Sequence, residues 1–320
     1  METVITILTN AFHVLVFPGL LFVSVVGLLL AGLDRKVLAR MQKRIGPPII
    51  QPFYDFFKLM GKETIIPHAA NRKAFLIAPV LGFVSLVVMM LFIPIFGYSP
   101  FSTNADLIVI LYLLTIPAVA LIVGGSASGS PYAGIGISRE MVTMMAYELP
   151  LVIVLLTVAK KIGGDQLVFS MQKITEWQGL NGSLISHWAL IPAALAFLFV
   201  IPAEVGTQPF DVAEAETEIC EGPLVEYSGA PLAMFKLNTA VKMFVMTALF
   251  TFLFFGGINT GIVVLNVVLF VAICAVLTVL SMTVAHAICA RLKIEHLFKF
   301  YWTFVTARAA ISLILVWLGL

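Results

Sequence analysis

The sequence predicts an all-α polytopic membrane protein with about eight transmembrane helices, and three observations support this fold class. Hydrophobic residues make up 61% of the 320 residues, and the mean hydropathy is +1.06. Only 11% of the residues are Asp, Glu, Lys or Arg. Most of these charges fall in short segments between long apolar runs. Such a composition excludes an ordinary soluble globular domain.

Eight apolar runs are long enough, at about 17–25 residues, to cross the hydrocarbon core of a bilayer. We expect the spans near residues 9–31, 75–97, 107–125, 140–160, 188–204, 233–255, 262–290 and 300–320. The first run follows no basic segment and precedes no clear cleavage site, so we interpret it as a retained span. The whole chain, 1–320, is expected to form a single transmembrane domain.

Lysine and arginine are distributed unevenly between the two sides of this topology. Nine lie in the loop after the first span, and four more fall on the same side, at Arg139 and in residues 291–299. The opposite loops carry three, which are Lys160, Lys161 and Lys173. The positive-inside rule therefore places the basic side in the cytoplasm, with both termini outside the cell membrane.

The loop after the first span, residues 34–74, is basic and amphipathic. In DRKVLARMQKRIG, apolar residues recur on one helical face, and Arg40, Lys43 and Arg44 lie on the other. A second apolar stripe follows Gly46-Pro47-Pro48. We predict a lateral helix in the headgroup region. It either anchors the chain at the interface or shapes a cytoplasmic cavity, and its basic residues are candidates for docking partner subunits.

A second loop, residues 201–231, is acidic. Asp211 followed by Glu214 is a variant of the capping box, and Gly222-Pro223 is a helix stop, so we predict a short helix between them. The predicted helix carries four acids on one face: Asp211, Glu214, Glu218 and Glu221. Like charges at this spacing repel one another. The loop is therefore either a solvated acidic face or a cluster compensated by cations, basic partners or bound protons.

The glycine- and serine-rich stretch 124–140 precedes the fourth span. We predict a tight turn that delivers Arg139 and Glu140 to a helix start, where Glu140 suits the helix dipole. A phosphate-binding loop is not indicated, because no strand precedes the stretch and it holds no Walker lysine.

Ionisable residues also fall within the predicted spans. Glu148 lies just before Pro150 in the fourth span, and an ionisable group at that depth is a functional candidate. The others are Glu204, Lys236, Lys242, His286 and Arg308. Six helical residues separate the two lysines by about 120° around the axis, so we do not expect them to share a partner. These residues suggest a polar line entering the bundle from the cytoplasm, with snorkelling to the interface as the alternative for Lys236 and Arg308.

The three cysteines, Cys220, Cys274 and Cys289, lie far apart and form no CxxC pair. The sequence therefore predicts no iron–sulfur site, no zinc site and no disulfide framework in this chain.

Four motifs carry a family resemblance: RIGPPIIQPFYDFFKLMGKE (44–63), GSPYAGIGISRE (129–140), PFDVAEAETE (209–218) and GPLVEYSG (222–229). They resemble the membrane subunit shared by respiratory complex I, its subunit 1, and the energy-converting membrane-bound nickel-iron hydrogenases. Within that family the sequence looks closest to the membrane-anchor subunits of formate hydrogenlyase and archaeal membrane-bound hydrogenase. The resemblance covers nearly the whole chain.

The resemblance implies a non-catalytic subunit that holds no cofactor. Its partners would be peripheral iron–sulfur and hydrogenase-like subunits, which hold the iron–sulfur clusters and a nickel-iron site, and antiporter-like membrane subunits in the bilayer. No nucleic acid is expected to bind. The candidate ion-relay residues are Glu140, Glu148, Glu204, Asp211, Glu214, Glu216, Glu218, Glu221, Glu226, Lys236 and Lys242. Arg139 joins Arg40, Lys43 and Arg44 as a structural or partner-docking residue.

The expected function is that of a connector subunit. It would couple electron transfer in the peripheral arm of a hydrogenase-type or related sulfur-reducing complex to proton or sodium translocation. Quinone-reducing members usually carry an asparagine-arginine pair before PFD and a carboxylate after EYSG, whereas this chain has TQPFD and APLAMFKLNTAVK. A quinone-chamber subunit of an NADH-quinone oxidoreductase and a structural anchor for the peripheral arm remain the alternatives. A self-sufficient transporter is disfavoured, because the two halves show no repeat symmetry.

Overall fold

A computed structural model describes residues 2–96, 101, 105–164, 166–258 and 260–319, except for the side chains of residues 2–4, 216 and 217. The described α-helices are, in chain order, α1 (Glu2–Leu15), α2 (Leu20–Met41), α3 (Gln51–Met60), α4 (Arg72–Phe92), α5 (Leu107–Ser128), α6 (Pro131–Gly163), α7 (Met171–Asn181), α8 (Ile191–Val205), α9 (Glu216–Ile219), α10 (Gly229–Phe255), α11 (Val263–Thr278), α12 (Val284–Ile288), α13 (Ile294–Lys299) and α14 (Thr306–Trp317). Two π-helical segments, Val279–Thr283 and Phe300–Val305, make the seventh and eighth spans continuous.

The described part of the chain contains eight helical stretches long and apolar enough to cross a membrane, which confirms the predicted fold class. Their bounds are 5–41, 72–92, 107–128, 131–163, 188–205, 229–255, 263–288 and 294–317. The chain is therefore a multi-pass membrane protein.

Helix α10 is the centre of the bundle. It packs against α2, α3, α4, α8 and α11. In its most apolar 18-residue window 94% of the residues are buried, against 28% in the seventh and eighth spans. A helix that is apolar on all sides is stable when neighbours surround it, so the composition of α10 accounts for its position.

The basic and acidic segments meet at one end of the bundle, which we call the loop end: residues 42–71, 129–130, 206–228 and 289–293. The backbone N–H of Ile65 donates to Ser228 Oγ at 2.9 Å, and that of Leu292 donates to the carbonyl of Pro209 at 3.1 Å. These contacts confirm that the two charged segments share one side of the bundle.

The lateral helix lies further along the chain than DRKVLARMQKRIG predicted. Helix α2 runs on to Met41, so most of that stretch extends the first span, and the chain leaves the helix at Lys43, where φ is 58°. The lateral helix is α3, with Pro52 at its start and the aromatic rings of Tyr54 and Phe57 exposed. Continuity with an apolar span stabilises the basic helix where it stands, whereas Gly46-Pro47-Pro48 separates only α3.

The predicted turn in 124–140 is much shorter than expected. Helix α5 continues to Ser128 and α6 begins at Pro131, leaving Gly129, with φ +70°, and Ser130 as the turn. Glu140 therefore lies in the third turn of α6, and its predicted place at a helix start was wrong. The small residues permit close packing instead, since a Cβ at Gly136 would lie 2.5 Å from Cδ of Pro223.

The predicted acidic helix was also wrong in extent. Only Glu216–Ile219 is helical, and Cys220 and Glu221 follow with left-handed backbones. Asp211 and Glu214 precede the helix, so the shared acidic face does not form. Asp211 accepts a hydrogen bond from Arg291 rather than capping a helix, at 2.9 Å from Nε. A charged partner far along the chain has displaced the local backbone donors.

Candidate functional site

A buried ion pair lies where α8 meets α10. Nζ of Lys242 lies 2.8 Å from Oε1 of Glu204, and their side chains are 9% and 3% exposed. Glu204 is held in the last turn of α8 and Lys242 in the middle of the central helix. Replacing a buried ion pair by apolar residues is often neutral or stabilising, so stability alone gives little reason to keep it. An intramembrane pair is a functional candidate.

A small cavity of about 50 Å³ lies beside this pair, and we call it the inner cavity. Its ionisable lining residues are Glu140, Glu204, Asp211, Glu214 and Lys242. A water molecule needs about 10–15 Å³ measured in this way, so the inner cavity has room for about three to five waters. It is a place for waters and protons, not for an organic cofactor.

Two acids of α6 belong to the same electrostatic cluster. Glu140 and Glu148 both interact with the charges of Glu204 and Lys242. Between them along α6 is Tyr147, which is fully buried beside Glu204. No described residue gives the Tyr147 hydroxyl a hydrogen bond of good geometry. The cluster therefore places a hydroxyl and three carboxylates around one lysine.

Glu214 is the member of the cluster best suited to exchange protons. Burial raises the pKa of Glu214 to about 7, and repulsion from Glu140, Asp211 and Glu221 adds to this effect while Lys236 opposes it. A carboxyl with such a pKa is close to half-protonated at neutral pH. A pKa near the working pH is the condition for efficient proton transfer.

Two larger cavities, of about 260 and 240 Å³, lie towards the loop end, and we call them together the chamber. They share Arg35 and Lys236. The chamber is also lined by Asp34, Asp55, Lys58, Lys62, Glu214 and Glu221. Glu214 lines both the chamber and the inner cavity. The polar line predicted from the sequence therefore has a geometric counterpart, in which Glu214 stands between the two spaces.

Residues 13–317 match the NADH dehydrogenase family. The chain belongs to this family. Hydrogenase-4 component C of Escherichia coli is 37% identical to it over 71% of this chain and 70% of that protein. A membrane protein of Chelativorans sp., one of the subunits of its NADH-quinone oxidoreductase, is 33% identical over 76% of each chain. A solved structure titled as the membrane-bound sulfane sulfur reductase, an archaeal respiratory membrane complex, contains a chain that is 33% identical, with a TM-score of 0.82, over 92% of this chain and 96% of that one.

These similarities confirm the family indicated by the four sequence motifs. The chain is a membrane subunit of a complex I-like energy-converting complex. Among the described residues, no group of three or more His, Cys, Asp or Glu side chains is arranged to hold a metal ion.

Sequence analysis missed three residues of the chamber in this complex I-like subunit. Asp34 accepts a hydrogen bond from Thr283 Oγ1 at 2.6 Å, in the π-helical segment of the seventh span. Arg35 and Asp55 form an ion pair at 2.9 Å. Although burial raises it, the pKa of Asp55 is held below its usual value by hydrogen bonds from Gln51 and Arg35 and by nearby positive charge. The Asp34-Arg35 pair was visible in DRK, but Arg35 was counted only as a topology signal.

Other predicted site residues lie away from the cavities. Arg139 pairs with Glu218 at 2.5 Å and also donates to the carbonyl of Val212 at 3.3 Å, so it ties α6 to the acidic segment. Glu226 is partly buried but does not line the inner cavity or the chamber. The side chain of Glu216 lies outside the described residues.

The basic residues predicted to dock partners are at the surface of the loop end. Arg40, Lys43 and Arg44 are all exposed. No carboxylate of the described residues pairs with them. They remain predicted docking residues.

Proposed function

We propose that this subunit is the connector of an energy-converting hydrogenase-type or related sulfur-reducing complex, and that it couples electron transfer in the peripheral arm to proton or sodium translocation. The observation that carries the proposal is the position of Glu214 between the chamber and the inner cavity, with the Glu204–Lys242 pair at the inner end. A titrating carboxyl beside a buried ion pair can convert a proton movement into a change of charge deep in the bundle.

The mechanism follows from the interactions of Glu214. When its carboxyl loses a proton, the new negative charge acts on Glu140, Asp211 and Glu221, with which it already interacts. At an effective dielectric constant of about 20, two charges 4 Å apart interact by roughly 4 kcal/mol, so each proton in the cluster changes the affinity for the next. The carboxyls therefore titrate as a coupled set. Waters of the inner cavity can carry the proton between them.

The partners enter at two surfaces. Peripheral subunits that hold iron–sulfur clusters and a nickel-iron site dock at the loop end, where Arg40, Lys43 and Arg44 are exposed. Electron arrival at the nearest cluster then alters charge or conformation beside the acidic segment. Antiporter-like subunits lie beside the spans in the cell membrane and receive the change. The loop end faces the cytoplasm and both termini lie outside.

The assignment to the hydrogenase or sulfur-reducing branch has two supports. The sequence lacks the asparagine-arginine pair before PFD and carries Lys236 and Lys242 on α10. Hydrogenase-4 component C and the sulfane sulfur reductase chain are both at least 33% identical to it.

A second candidate function is quinone binding in the chamber. The combined volume of the chamber favours it, as does similarity to the NADH-quinone oxidoreductase protein of Chelativorans sp.. The lining argues against it, because Arg35, Lys236 and several further charged side chains meet there, whereas organic ligands usually bind in mostly apolar pockets. Quinone-site inhibitors would block electron transfer only if this candidate is right.

The proposal is tested with Glu214→Gln and Glu148→Gln in the intact complex, in sealed membrane vesicles. We expect ion translocation to fall by at least about tenfold, because a positioned proton carrier contributes that much or more, while electron transfer by the peripheral arm changes by less than about twofold. Glu226→Gln is the matched control, since it removes a charge from the same segment away from both cavities.

Two outcomes would contradict this role. If both variants translocate ions like the unmodified complex, Glu214 and Glu148 carry no protons. If all three variants release the peripheral arm and lose both activities together, the acidic segment is an anchor.

A further inference from the structure

The eighth span carries an arginine deep in the membrane. Arg308 lies 14 residues after Ile294 and nine before Trp317, the two ends of the span. At 1.5 Å per residue these separations are about 21 Å and 14 Å, so Arg308 is far from both headgroup regions. A charged side chain at that depth is costly unless an anion neutralises it.

The described part of this chain offers Arg308 no such anion. No described carboxylate lies within 4.0 Å of it. Its guanidinium instead stacks on the ring of Phe304, 3.6 Å from the centroid. Helix α14 packs against α6 and α8. Their acids near the inner cavity, which are Glu140, Glu148 and Glu204, interact with one another and with Lys242.

Arg308 lies on the face of α14 that points away from the bundle. Ala309, Ser312 and Val316 are buried on the inner face. The outer face carries an exposed stripe at three- and four-residue spacing: Phe304, Ala307, Ile311, Ile314 and Leu318. The small Ala307 stands directly beside Arg308. A small residue lets another helix approach closely, so the stripe has the composition of a helix-packing surface in a membrane.

We propose that this face docks a transmembrane helix of a neighbouring subunit, and that the helix presents an Asp or Glu side chain to Arg308. Charge complementarity decides the occupant. Lipid phosphates are anionic but lie at the headgroups, whereas a carboxylate on a facing helix reaches the middle of the bilayer. The planar guanidinium binds such a carboxylate through two parallel hydrogen bonds. This inference concerns a surface away from both cavities and does not depend on the coupling role.

The sign of one substitution tests the proposal. In the intact complex, Arg308→Leu leaves the facing carboxylate buried and unpaired, so recovery of this chain with the neighbouring membrane subunits should fall by at least about tenfold. Arg308→Lys should retain most of the recovery, because it keeps the charge. If Arg308 faced lipid, Arg308→Leu would keep or increase recovery, and that result overturns the proposal. Tyr112→Leu, another large exposed side chain within a span, is the control, and an immunoblot of membranes verifies that each variant is inserted.

A second experiment identifies the partner and remains informative if Arg308→Leu inserts poorly. A photoreactive amino acid at Ile311 should cross-link to one neighbouring protein helix that carries an Asp or Glu. Exchanging the charges, with Arg308→Glu in this chain and arginine at the identified acid, should restore the recovery that Arg308→Glu alone abolishes. Cross-links to lipid only, or no restoration by the exchange, overturn the proposal.

Discussion

Two lysines on the central helix have contrasting environments. Lys242 is 9% exposed and pairs with Glu204 at 2.8 Å. Lys236, six residues earlier on the same helix, is exposed in the chamber and interacts with Asp55 and Glu214 without an ion pair to either. The prediction that the two lysines do not share a partner is confirmed. Depth and orientation on one helix therefore separate a fixed buried charge from an accessible one that tunes a neighbouring carboxyl.

The largest expected effect comes from breaking the buried pair. Lys242→Met leaves Glu204 unpaired, and removal of one partner of a buried pair costs about 3–5 kcal/mol. We expect a large fall in the thermal stability of the purified complex. The double variant Glu204→Met, Lys242→Met should recover most of that stability, because apolar residues of similar volume replace the pair, yet ion translocation should stay low. If the double variant translocates normally, the pair is structural.

An intermediate effect is expected from Lys236→Met, on pH dependence. The pKa of Glu214 is raised from 4.5 to about 7, so the stability that its bound proton contributes is fully present below pH 4.5 and is lost as pH rises through about 7. The cation of Lys236 opposes this shift, so its removal raises the pKa of Glu214 further. Both the loss of stability and the pH midpoint of ion translocation should move to higher pH.

The control for this shift is Lys62→Met. Lys62 also lines the chamber but is not among the groups that act on Glu214. A shift of equal size in both variants would mean that the general charge of the chamber matters, and that Lys236 has no specific effect on Glu214.

The smallest expected effect comes from the exposed pair. Glu218 is 56% exposed and Arg139 is 24% exposed. Surface ion pairs contribute about 0.2–1 kcal/mol and are screened by salt. Arg139→Gln should therefore reduce thermal stability only slightly, and the difference from the unmodified complex should shrink as salt is added. A loss comparable to that of Lys242→Met would show that Arg139 holds the acidic segment against the bundle by more than its charge.

The sequence by itself determined the class of protein and its topology. Eight apolar runs and the uneven distribution of basic residues are local properties, and the 3.6-residue helical repeat alone separates Lys236 from Lys242. The same local rules failed in the acidic segment. Asp211 was expected to cap a helix, but it binds Arg291, 80 residues later. A charged donor brought close by folding is a stronger partner than neighbouring backbone N–H groups.

Only the tertiary structure decided which charges share a cavity. Glu140 and Glu204, on different helices, meet Lys242 around one small space, and Asp34 reaches Thr283 of the seventh span. Spacing along the chain carries no information about such contacts, because they depend on which helix faces pack together. The pKa of Glu214 depends on them too, since burial and distant acids raise it. Membrane insertion is therefore written into local hydropathy, while the coupling site exists only in the packed bundle.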